Sequence, residues 1–201
     1  MIVVDVETTG LCPEKHSIVS IGAVDFLEPE NQFYVECRIW YGAEITQEAL
    51  EINGFSESQI KDPNKPSLEQ TVAGFFSWVA KIKGSDITLA GENPSFDLRF
   101  LHSSAERYNL NFPFSHRTVD LHTKVYTHLL ERGLPIKLDK RNCSGMSQDE
   151  TLKYVGLPKE PKPHNALVGA KGEAEAFSRL MFGKNLFEEY SMFPIPAYLR
   201  K

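Results

Sequence analysis

Asp5 and Glu7 flank a single valine at the end of an apolar run formed by Ile2, Val3, Val4 and Val6. A strand alternates its faces with period two, so both carboxylates project from the same side of it. Two anions held that close repel each other unless something positive is bound between them. Hard divalent cations such as magnesium take oxygen ligands and keep some of their waters. Two such ions about 4 Å apart clamp the attacking and leaving oxygens of a phosphodiester during in-line hydrolysis. Two later segments carry residues suited to the same chemistry. In LAGENPSFDLRFL, Asp97 falls just past a strand, in the first turns of a helix. An acid there also complements the helix dipole, so Asp97 gains weight from its company. His164 opens the final helix directly after Pro163. A neutral imidazole at that place can take the proton of an attacking water.

The elements that position these residues read as follows. After the first strand come two β-rich runs, 18–26 and 32–40, separated by the polar turn 27–31, which predicts an antiparallel meander. From Thr46 the apolar spacing changes to three and four, in TQEALEI and then SLEQTVAGFFSWVAKIK, with Ser67 as N-cap and Glu69 or Gln70 behind it. A strand over 86–90, a helix over 95–108, a strand over 118–121 and a helix ending near Gly133 follow. The rest reads as a loop, a short helix over 148–155, the Pro-rich link GLPKEPKPH and a last helix over 165–182. A meander followed by alternation predicts an α/β domain with a mixed central sheet.

The 201 residues suit one substantial core, so residues 1–201 are read as a single domain. Hydrophobic content of 41% and charged content of 24% are ordinary for a globular chain and exclude fibrous and disordered classes. No apolar stretch reaches the roughly 18 residues of a membrane span, and the start has no signal-peptide pattern, which predicts a cytoplasmic protein. Cys12, Cys37 and Cys143 match neither a disulfide framework nor a zinc spacing. Charge is uneven: residues 1–100 carry 7 basic and 16 acidic side chains, residues 101–201 carry 15 and 11. The first half suits cations and the second a polyanion, although a solvated surface accounts for the same asymmetry.

The segments VVDVETTGL, NPSFDLRFL, RTVDLHT and PHNALVGAKGEAEAF, in that order, resemble the DEDD superfamily of 3'-5' exonucleases in its histidine-bearing, DnaQ-like branch. The resemblance spans nearly the whole chain. It implies a ribonuclease H-like fold, with the first three strands antiparallel and helices flanking the sheet. It implies Mg2+ or Mn2+, two ions per site, with Asp5, Glu7 and Asp97 as metal ligands and His164 as general base. Thr8 and Thr9 would present backbone and hydroxyl groups to the terminal nucleotide, Leu11 would wedge against its base, and Asn93 and Ile52 would be lesser contacts. Asp120 is read as structural. The implied substrate is the 3' end of single-stranded or frayed DNA or RNA, with a polymerase or a second copy of the chain as partner and no membrane.

One position breaks the pattern. The resemblance implies a fourth acid five residues after the histidine, where this chain has Gly169. Glu173 lies one helical turn further on the same face and leans back toward that place, against the alternative of a solvent-facing residue. The other readings are a weak or inactive relative that retains nucleic-acid binding, or an altered residue. Gly169→Asp is expected to raise magnesium-dependent activity, and Gly169 with Gly172 predicts a loose helix start. Two other classes of answer stand beside the enzyme: a non-catalytic module that holds nucleic-acid ends, and an ordinary α/β domain whose acids cap helices. Arg132, Lys137, Lys140, Arg141, Lys153 and Lys159 are candidate phosphate contacts.

Overall fold

In the computed structural model, which describes residues 1–84 and 86–200, five strands form one mixed sheet in the order β3-β2-β1-β4-β5. The strands are β1 Ile2–Thr8, β2 Ile18–Asp25, β3 Gln32–Glu36, β4 Leu89–Gly91 and β5 Val119–Asp120. β1, β2 and β3 pair antiparallel, whereas β1–β4 and β4–β5 pair parallel, as the meander-then-alternation pattern predicts. The helices are α1 Gln47–Asn53, α2 Glu57–Ile60, α3 Leu68–Lys81, α4 Ser95–Arg107, α5 Leu121–Glu131, α6 Gln148–Tyr154 and α7 Ala166–Phe182.

Alternation along β1 sorts its side chains into two layers. Ile2, Val4 and Val6 pack with Val72 and Phe75 of α3 and Phe100 and Leu101 of α4. Val3 points the other way and packs with Ala170, Ala174 and Phe177 of α7. Asp5 and Glu7 share the parity of Val3, so they rise from the sheet on the α7 side. Burying this apolar surface on both faces holds the acid pair in place.

Gly22 lets α7 come so close. It pairs with Asp5 in the β1–β2 register, and a Cβ there would overlap the backbone carbonyl of Ala166 in the first turn of α7. Asn165 caps that helix, its Oδ1 accepting from the N–H groups of Leu167 (3.1 Å) and Val168 (3.2 Å). Its Nδ2 donates to the Tyr34 hydroxyl at 2.8 Å, tying the cap to β3. These contacts hold α7 continuous from Ala166 through both glycines, so the expected loose start is absent.

Three elements differ from their sequence expectation. β3 ends at Glu36 rather than running to residue 40, because the Arg38 N–H turns away to Pro66 O (2.9 Å) and that of Ile39 to Ile60 O (2.9 Å). The strand expected over 86–90 is shortened to β4 because Asp86 accepts from the Thr88 N–H at 2.8 Å and folds the approach into a turn. TQEALEI forms α1, capped by Thr46, but a further short helix, α2, follows it behind a Ser56–Gln59 capping box that the apolar spacing does not signal. Ser67 does cap α3, with Gln70 completing the box.

Candidate active site

At the C-terminal end of β1, acids from four parts of the chain meet. Asp5 and Glu7 come from the strand. Asp97 enters from the first turn of α4, on the opposite layer, and its Oδ1 accepts the Val6 N–H at 2.9 Å. Glu160 comes from the loop between α6 and α7, and Glu173 from α7 itself. His164 stands at the end of that loop, its N–H donating to Ile52 O of α1 at 3.0 Å. One ligand atom each of Glu7, Glu160 and His164 lies within 4.8 Å of the others.

The electrostatics are those of uncompensated like charge. Burial pushes the Asp5 carboxyl well above its ordinary range, and Glu7, Glu173, Asp97 and Glu160 add to the shift in that order. Burial raises Glu7 to about 7, with Glu160 contributing. Asp97 rises to about 8, again chiefly by burial, with the Val6 N–H pulling the other way. Glu160 reaches about 7 by burial, opposed by the Asn165 backbone N–H. Burial, then Lys162, lowers the imidazole of His164 and favours its neutral form.

Gly169 occupies a decisive place. A Cβ built on it would overlap Asp5 Oδ2 and lie 3.0 Å from Asp5 Cγ and 3.4 Å from Glu160 Oε1. The ground that a residue-169 side chain needs is therefore held by two other carboxylates. An aspartate there requires Asp5 to move, which complicates the expected benefit of Gly169→Asp. Glu173 is not solvent-facing: it is 3% exposed, its Oε1 accepts from Gln148 Nε2 at 3.1 Å, and its Oε2 has no hydrogen-bond partner. Burial and then Asp97 and Glu92 raise its carboxyl well above the ordinary range. Glu160 had no sequence signal beyond its position four residues before His164 in a loop of prolines and lysines.

Beside the acids opens a cleft of about 270 Å³, lined among others by Glu7, Thr8, Leu11, Ile52 and Phe96. Leu11 is 79% exposed at its rim. Thr9 is fully buried. Its hydroxyl donates to Glu44 O (2.7 Å) and accepts from the Ser17 N–H (2.9 Å), so it fastens the loop after β1 instead of facing the cleft. The Thr8 hydroxyl donates to Gly10 O at 2.8 Å. Asn93 is exposed at positive φ, its Oδ1 accepting from Ser95 Oγ at 2.9 Å, in the turn that starts α4. Asp120 is structural as expected: it caps α5 through the His122 N–H (3.1 Å) and holds the Asn93 N–H (3.2 Å). Of the basic candidates, Lys137, Arg141 and Lys159 are paired with Glu150, Asp139 and Asp149, which dilutes their field.

The residues fit divalent cations. The donors are hard carboxylate oxygens. Buried Glu160 Oε1 and Glu173 Oε2 lack hydrogen-bond partners, and among the described residues no Lys or Arg pairs with this group, whose one basic neighbour is the neutral imidazole of His164, 3.4 Å from Glu160.

Fold and acidic cluster together point to one class, α/β nucleases, with the tip of β1 as the candidate active site. Residues 2–177 match the RNase T exonuclease family model, and the chain belongs to that family, within the DEDD superfamily. A 3'-5' DNA exonuclease, Cap18 of Escherichia coli, is 26% identical over 178 residues, covering 87% of each chain. Ribonuclease T of Vibrio parahaemolyticus is 30% identical over 198 residues, covering 88% of this chain and 82% of its own. In structure, the nuclease domain of 3'hExo, a DEDDh family member bound to rAMP, superposes with a TM-score of 0.68 at 16% identity, covering 97% of this chain and 94% of its own. The fold is thus ribonuclease H-like. No described helix is long and apolar enough to cross a membrane.

Proposed function

We propose that this chain is a 3'-5' exonuclease that removes nucleotides from single-stranded or frayed 3' ends, with two divalent ions held by Asp5, Glu7 and Asp97 and with His164 as general base. The observation that carries the reading is a buried group of mutually repelling acids, Asp5, Glu7 and Asp97, with a neutral imidazole near Glu7 and a cleft of nucleotide size beside them. Bound Mg2+ or Mn2+ would stabilise the charge that develops on the phosphodiester during in-line displacement. His164 accepts the proton of the attacking water, and burial keeps it free to do so near pH 7. Leu11, Ile52 and Phe96 hold the terminal base against apolar surface, while the Thr8 backbone borders its sugar. Asn93 is not among the residues lining this cleft and is retained as a lesser substrate contact. The free thiols of Cys12, Cys37 and Cys143 support a reducing compartment such as the cytoplasm. DNA-directed and RNA-directed relatives both resemble the chain, so either polymer is a substrate to test.

The test is digestion of 5'-labelled DNA and RNA oligonucleotides with Mg2+ or Mn2+ and with EDTA. A ladder of progressively shortened products that EDTA abolishes is expected. Retention of the oligonucleotide without cleavage under both metals would make the chain a binding module.

A further inference from the structure

We propose that Glu160, from the loop preceding α7, is a metal-ligating carboxylate of this site, standing in for the acid that the α7 position of Gly169 lacks. This inference rests on the metal-dependent reading above and names a ligand beyond it.

Four observations converge on Glu160. Its side chain is only 4% exposed although it belongs to a proline-rich surface loop. Its Oε1 has no hydrogen-bond partner, a costly state for a buried carboxylate oxygen unless something else satisfies it. That same Oε1 lies 3.4 Å from the point where a residue-169 Cβ would stand, next to Asp5, so it reaches the ground a helix acid would have covered. Finally, Glu7, Glu160 and His164 form the set of three metal-ligating side chains found mutually within 4.8 Å among the described residues.

Glu173 is the competing substitute, and its orientation argues against it. Its Oε1 is engaged by Gln148, and its Oε2 lies 3.1 Å from the point where a Cβ on Gly91 would stand, beside the Val4 carbonyl. It is held between Gln148 and β4 while its charge still acts on Asp97 and Asp5, whereas Glu160 reaches Glu7 and His164. The exchange of a helix ligand for a loop ligand fits glycine at position 169: a Cβ there would displace the Asp5 carboxylate and come into contact with Glu160. It also couples two functions, because Glu160 Oε2 lies 3.4 Å from His164 Nδ1, so one carboxylate spans the cation site and the base.

Calorimetric titration of the metal-free protein with Mn2+ tests this, without reference to cleavage. Glu160→Gln, which keeps shape and removes charge, is expected to weaken Mn2+ binding tenfold or more, and Asp5→Asn at least as much. Glu28→Gln, at an exposed acid in the β2–β3 turn at the opposite end of β1, is expected to match the wild type. Thermal melting checks that each variant is folded. If Glu160→Gln binds Mn2+ like the wild type while Asp5→Asn does not, the proposal falls. Glu160 then only orients His164, which would appear as a displaced pH profile of cleavage at unchanged metal affinity. If the wild type itself binds no Mn2+, the metal-dependent reading fails together with this one.

Discussion

Helix α7 buries two glutamates two residues apart, on opposite sides, and treats them in opposite ways. Glu175 is fully enclosed and fully satisfied: Oε1 accepts from Arg179 Nε at 2.8 Å, and Oε2 from the N–H groups of Leu186 (2.7 Å) and Phe187 (3.1 Å). Arg179, also 0% exposed, spends its remaining donors on the carbonyls of Val155, Gly156, Tyr190 and Phe193. Glu173 lies close enough to Asp97 and Asp5 for their charges to act on one another, with one oxygen unpartnered and, among the described residues, no ion pair to a cationic side chain. The first arrangement is a closed knot that anchors the C-terminal segment to α7. The second is open-ended charge, tolerable because protons or metal ions complete it. Buried charge with every donor matched therefore reads as architecture, and buried charge of one sign with spare oxygens reads as a site.

Four measurements break or sharpen that contrast. The largest expected effect is on the knot: Arg179→Met leaves Glu175 buried without its partner and is expected to cost about 3–5 kcal/mol in urea unfolding. Mn2+ affinity of the folded fraction should be unchanged. At the site, His164→Ala is expected to lower kcat by about 10²- to 10⁴-fold while Mn2+ affinity, read by titration, is retained. A loss of metal binding in that variant would show that His164 acts as a ligand.

The third is a pH experiment. Burial raises Glu7 from 4.5 to about 7 and Asp97 from 3.8 to about 8 in the folded state. For an acid raised on folding, the native state binds more protons than the unfolded chain across this window, so stability falls as pH rises through it. The metal-free protein should melt several degrees lower at pH 8 than at pH 5.5, and saturating Mn2+ should remove most of the difference. A flat profile without metal would place these carboxylates in contact with more water than their burial implies. The smallest effect is expected from Leu11→Ala at the cleft rim, a loss of about 1 kcal/mol that raises KM several-fold with kcat nearly unchanged.

Much of this site was legible in the chain itself. Period-two alternation in MIVVDVETTG places Asp5 and Glu7 on one face whatever the rest of the molecule does. The strand-to-helix position of Asp97 and the place of His164 at the head of the last helix follow from local patterns, as does the capping of α3 by Ser67. Fold class follows too, because meander and alternation are read from apolar periodicity. The breaks in the pattern were harder. β3 ends early because partners from residues 60 and 66, distant in sequence, draw its chain away. Thr9 looks like a substrate contact in DVETTGL, and only the presence of Ser17 and Glu44 around its hydroxyl turns it into a fastening.

What the sequence by itself determined is the set of short-range facts: which faces the acids take, where helices start and which residue types are on hand for oxygen-ligand chemistry. Tertiary structure alone decided which carboxylates share one space. Glu160 and Glu173 carry no local mark that separates a site residue from a surface one, since burial and proximity arise from how α7 docks on Gly22 and how the preceding loop folds back over Asp5. Coulomb repulsion acts through distance in space, and chain order does not encode that distance.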